Sequence, residues 1–76
     1  MNGFALIYTH ADGTKKLSSK LPTAADAKRQ GQLAINNQDR SGVERFEVLL
    51  FECGERGRER MQRILQRKGV TNWMQF

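Results

Sequence analysis

The chain predicts a small α+β domain with the element order β-β-α-β-α. Three observations predict it. A β-rich run leads into an Asp-Gly turn, a run of small residues at helical spacing follows a capping threonine, and a second apolar strand precedes an amphipathic basic helix. Seventy-six residues make a single domain, 1–76, with room for only a modest core.

The first strand is assigned to 4–9, FALIYT, which is rich in aromatic and β-branched residues. Phe4, Leu6 and Tyr8 share one face, and Ala5, Ile7 and Thr9 share the other. Asp12-Gly13 is a short-range hairpin signal, because a type I′ turn needs positive φ twice. The second strand is assigned to 14–21. Leu17, Ser19 and Leu21 face in, while Lys16, Ser18 and Lys20 face out, a pattern that suits an exposed edge.

A helix is expected over 23–37. Thr23 is its N-cap, with Asp26 three residues on as a short capping box. Ala24, Ala27, Gly31, Ala34 and Ile35 line one side, and residues this small let a helix lie close against a sheet. Asn36-Asn37 supplies the stop, since Asn tolerates the left-handed conformation. Residues 38–42 are polar and read as a loop.

The third strand is assigned to 43–53. Phe46, Val48 and Leu50 lie on one face, and Leu49, Phe51 and Cys53 on the other, as in a strand that is central or covered on both sides. A hairpin followed by a right-handed crossover places it antiparallel beside the first. The expected three-stranded antiparallel sheet therefore has order 2-1-3, packed by two helices.

The second helix is expected over 55–68. Met61, Ile64 and Leu65 point to the core, and Gly69 stops the helix. Gly57 is unfavourable inside a helix by about 1 kcal/mol, which moves the expected start toward Arg58. Residues 69–76 form the tail.

Charge is concentrated in this second helix. The chain carries a formal net charge of +5, and residues 55–68 hold five Arg, one Lys and two Glu, a net +4. Arg56, Arg60, Arg63 and Arg67 follow i, i+4, i+7, i+11, a stripe about 60° wide that flanks the apolar face. The guanidinium is a fixed fork of donors that suits phosphate and carboxylate. These four residues and Lys68 are the candidate binding residues. The implied partner is an anionic macromolecule: nucleic acid, a nucleoprotein or an acidic protein surface. The competing reading is a solvated face in which Glu55 and Glu59 pair with Arg58 and Arg63. Trp73, Met74 and Phe76 form an apolar tail that either folds back onto the core or serves as an exposed hydrophobic anchor.

Catalytic chemistry finds no set of residues here. Cys53 begins CGERGRER, but a phosphatase phosphate loop places arginine six positions after its cysteine, where this chain has Glu59. Cys53 is expected as a buried strand end. His10 and Cys53 are the single His and single Cys, without ligand spacing, so no metal site and no cofactor is expected. His10 is expected as a solvated loop residue. The string IYTHADGT resembles the hairpin of HicA-type toxin ribonucleases. That resemblance implies RNA cleavage with His10 as general base. It covers about eight residues, and the family's leading helix and glycine-serine-histidine signature are missing from this chain.

The lone cysteine fits a reducing compartment. No basic n-region precedes the short apolar start, and no run approaches the ~18 apolar residues of a membrane span. A cytoplasmic protein, of its own cell or a host cell, is expected. The leading functional reading is a small basic non-catalytic protein binding nucleic acid or a nucleoprotein through the C-terminal helix. The alternative is a phage- or mobile-element-encoded inhibitor that blocks a host protein complex. A HicA-like ribonuclease is third.

Overall fold

The computed structural model describes residues 3–70. Its elements in chain order are β1 (Gly3–His10), β2 (Lys15–Leu17), α1 (Ala24–Asn36), α2 (Gln38–Ser41), β3 (Val43–Phe51) and α3 (Glu55–Lys68). The sheet is antiparallel with order β2-β1-β3, as the hairpin and crossover predict.

The hairpin turn is not type I′. Its only residue with positive φ is Gly13, at 89°; Asp12 has none. Gly13 N–H donates to His10 O at 2.9 Å, and His10 N–H donates to Thr14 O at 2.8 Å. The pattern is that of a three-residue loop closed by a glycine bulge. Asp12 caps the loop by accepting from Thr14 N–H at 2.9 Å. His10 thus ends β1, half-buried, rather than standing in a loop.

β2 is shorter than the sequence suggests. Its ladder stops at Leu17, because the Ser18 hydroxyl accepts the Leu6 N–H at 2.8 Å in place of a carbonyl. Pairing resumes only at the isolated Leu21–Phe4 bridge. On the other side of β1 the register runs from Gly3 opposite Phe51 to Thr9 opposite Arg45. It then slips so that His10 faces Val43 and Glu44 is bulged.

Residues paired across an antiparallel ladder share a face, so the register sorts the core into two halves. Ala5, Ile7, Leu17, Leu49 and Phe51 lie on one face and pack with Met61, Leu65 and Val70 of α3 and its exit. Phe4, Leu6, Tyr8, Phe46, Val48 and Leu50 lie on the other, under α1. The two helices cover opposite faces, giving three layers with β1 in the middle. Ala5, Leu6 and Ile7 are buried accordingly. β3 is covered on both faces yet is an edge strand, not a central one. Leu50, near its far end, is 51% exposed.

α1 begins where its capping threonine predicts: Asp26 N–H donates to Thr23 Oγ1 at 3.1 Å. Its small face is buried at Ala27 and Gly31. A Cβ on Gly31 would stand 2.4 Å from the Phe46 ring, so this position keeps the helix against the sheet. The helix does not end in a left-handed Asn. Asn37 has φ −106°, and its side-chain amide donates to Leu33 O at 3.0 Å. The expected loop 38–42 instead holds α2, one turn nucleated when Asn37 O accepts from Arg40 and Ser41 N–H, both at 2.9 Å.

α3 starts at Glu55, as its predicted range has it, and Gly57 does not delay it. A Cβ at Gly57 would lie 2.1 Å from Glu52 O, so glycine lets the first turn press against the end of β3. Gly69, with φ 76°, closes the helix. Val70 N–H reaches Leu65 O at 3.0 Å and Gly69 N–H reaches Gln66 O at 3.2 Å, the bond pair of a Schellman motif. That turn also carries Val70 into the core beside Leu65. No helix among the described residues is long and apolar enough to cross a membrane.

Candidate nucleic-acid interface on α3

The buried residues of α3 are Gly57, Met61 and Leu65, at i, i+4 and i+8. This geometry turns Arg56, Arg60, Arg63 and Arg67 about 130° away from the core, and all four are exposed. Their α-carbons span about 16 Å along the helix axis at 1.5 Å per residue.

The four arginines are not equivalent. Arg60 Nη1 donates to Glu52 Oε1 at 2.7 Å, so a carboxylate at the end of β3 holds one member of the stripe. Arg56, Arg63 and Arg67 make no ion pair with the described residues. The pairs expected within the helix, from Glu55 and Glu59 to Arg58 and Arg63, do not form. The counterions that α3 uses among the described residues come from β3 and from Glu52 just past its end, which only the tertiary fold brings into reach.

Lys68 departs from the stripe. It lies about 110° round the helix from the stripe's centre, on the half-buried flank, and its Nζ donates to Glu47 Oε1 at 2.8 Å. It therefore ties the last turn of α3 to the sheet face below. The register also places Lys15 and Arg45 on this face, one on either side of Thr9. Thr9, Lys15, Arg45, Phe46 and Glu47 line a depression of about 300 Å³ there. Sequence reasoning missed this cluster because its members lie up to 38 positions apart, and no linear motif marks a cross-strand register.

At the other end of α3, Lys20, Arg58, Cys53 and Gly54 help line a depression of about 480 Å³. Cys53 is exposed here, not buried as its alternation suggested, because β3 ends at Phe51 and the chain turns away from the sheet. The Lys20 ammonium stands 5.0 Å from the centre of the Phe51 ring, within cation–π range.

Groups suited to acid–base chemistry do not converge. Among the described residues no polar or charged side chain is buried, and no cluster of three His, Cys, Asp or Glu could hold a metal. Asp12, the acid nearest His10 in sequence, is engaged with Thr14. Hydrogen bonds from the Thr14 side chain and N–H hold its carboxyl below the usual carboxylate value. Burial pushes the Tyr8 phenol up from its ordinary value. Trp73, Met74 and Phe76, the candidate anchor, lie outside the described residues.

Compared with family models, curated proteins and solved structures, the chain matches none.

Proposed function

We propose that this is a non-catalytic binding domain that engages nucleic acid, bare or in a nucleoprotein, through the arginine face of α3. One observation carries the reading: Arg56, Arg63 and Arg67 stand exposed on one helix face with no counterion among the described residues. A solvated structural helix of this charge would be expected to recruit its own glutamates, and Glu55 and Glu59 are not used. Guanidinium groups spaced over about 16 Å suit successive phosphates rather than one small anion. Lys15, Arg45 and Lys68 lie on the same side of the sheet and extend the positive field.

The test is fluorescence anisotropy of a labelled random-sequence duplex, and of a single strand, titrated with the chain across a salt series. Log affinity for the duplex is expected to fall linearly with log salt, at about −0.9 per phosphate contacted, hence a slope near −3 for three arginines. Each of Arg56→Ala, Arg63→Ala and Arg67→Ala is expected to reduce the slope by about 1. A chain that binds neither probe at low salt, yet captures a partner from nuclease-treated lysate, would replace this reading with that of a protein-directed inhibitor.

A further inference from the structure

Among the described residues, the sheet order leaves β3 with one side open. β1 turns the backbone groups of Phe4 and Leu6 toward β2: Phe4 and Leu21 exchange bonds at 2.7 Å, and Ser18 N–H reaches Leu6 O at 2.8 Å. The alternate residues Ala5 and Ile7 therefore bond to their partners Leu49 and Glu47. It follows that Phe46, Val48 and Leu50 aim their N–H and C=O groups away from the sheet. These groups have no partner among the described residues. The side chains along this edge are mostly apolar and incompletely covered. Phe46, Val48 and Leu49 are half-buried, and Leu50 is 51% exposed.

We propose that this edge is an interface for a second copy of the chain, joined antiparallel β3 to β3 into one six-stranded sheet. Symmetry restricts the register. A two-fold axis perpendicular to the sheet keeps each face on its own side, so only residues of like parity can pair. Centring on Glu47 would set two glutamates opposite each other. Centring on Arg45 would do the same with two arginines. Centring on Phe46 pairs Phe46 with its copy in a hydrogen-bonded site and sets Arg45 opposite Glu47 twice over. Arg45 has no ion-pair partner among the described residues. Glu47 gives Oε1 to Lys68 and keeps its second oxygen for the incoming guanidinium. Centring on Val48 would set Arg45 opposite Phe51 and Glu47 opposite Leu49, so neither charge would meet its opposite; charge complementarity thus selects the Phe46-centred pairing. The same axis puts both α3 helices on one side of the extended sheet. The pairing rests on the β3 edge alone and stands whether or not α3 binds nucleic acid.

Sedimentation equilibrium of the purified full chain, with circular dichroism as the check on folding, tests the proposal. The wild type is expected at twice the 8.7 kDa chain mass. Arg45→Glu, at an exposed position, is expected to weaken association by about tenfold or more, because two attractions become two repulsions. Arg45→Glu combined with Glu47→Arg restores opposite charges and is expected to restore the dimer. Amide exchange locates the contact: Phe46 and Val48 N–H are expected to gain protection as concentration rises. A wild type that stays monomeric to near-millimolar concentration overturns the proposal. So does a dimer indifferent to Arg45→Glu, or one in which the Phe46 and Val48 amides stay unprotected.

Discussion

One glycine carries the opposite sign from the usual helix rule. Glycine inside a helix ordinarily costs about 0.5–1 kcal/mol relative to alanine. At Gly57 a Cβ would meet the Glu52 carbonyl at 2.1 Å, and backbone cannot step aside as a flexible side chain can. Gly57→Ala is therefore expected to destabilise by more than about 1 kcal/mol in a denaturant melt, the scale of overpacking; a stabilised variant would show that α3 tolerates a shift away from β3. Leucines divide in the same way. Leu6 is fully buried, so Leu6→Ala is expected to cost about 2–5 kcal/mol. Leu50 is 51% exposed, and Leu50→Ala is expected to cost below about 1 kcal/mol in the monomer. Alternation alone made these residues look equivalent. Asp12 supplies a pH test at the same scale. Its folded carboxyl is held low by Thr14, so its contribution is present above the unfolded carboxylate value and is lost as pH falls through the lower folded value. Nuclear magnetic resonance titration should find the Asp12 midpoint below that of a free aspartate. Thr14→Ala should move it upward, since the hydroxyl bond is removed.

Elements differ in where their definition comes from. α1 is defined at its start by Thr23, and Thr23→Ala is expected to cost about 1 kcal/mol through loss of the 3.1 Å bond to Asp26 N–H. Thermal melts of the two proteins, compared at matched pH, check that value. Its far end is set by what comes next, for Asn37 serves both α1 and α2. α3 was legible almost entirely: its apolar spacing and Gly69 set its face and its end. The ties that orient it were not legible, because Glu47 lies on β3 and Glu52 just past its end. These exposed pairs contribute little to stability, of order 0–1 kcal/mol each. Their effect is on availability: Arg60 and Lys68 are engaged, while Arg56, Arg63 and Arg67 have no ion-pair partner among the described residues.

At the scale of the molecule, the three layers decide what each surface can do. A helix on each face leaves the sheet open only at its edges, and lysines guard one of them: Lys15 and Lys16 belong to β2. The other edge, along β3, is nine residues long and mostly apolar. Gly31 lets α1 lie close enough to cover Phe46 from one side, yet neither helix reaches the outward backbone of β3. The arginine stripe is turned about 130° round α3 from its buried residues. Replacing Arg63 and Arg67 together by Ala is therefore expected to leave the melting temperature within about 2 °C of wild type, while nucleic-acid affinity falls by about tenfold or more. A parallel fall in stability would mean that the stripe serves the fold instead.

The sequence by itself determined the types of β1, β2, β3, α1 and α3, the sheet order, the cap at Thr23, the stop at Gly69 and the outward face of α3, but not the short helix α2. Each depends on periodicity or on the chemistry of a few consecutive residues, which a linear string records. Only the tertiary structure decided which residues share a surface. The hairpin turn type hung on one positive φ, and the ladder at β2 ended because the Ser18 hydroxyl replaced a carbonyl. Cys53 came out exposed because β3 stops two residues earlier. Gly57 proved a packing requirement, and Arg60 and Lys68 found counterions eight and 21 positions away. Those outcomes depend on distances between elements, and spacing along the chain carries no information about distance across a sheet.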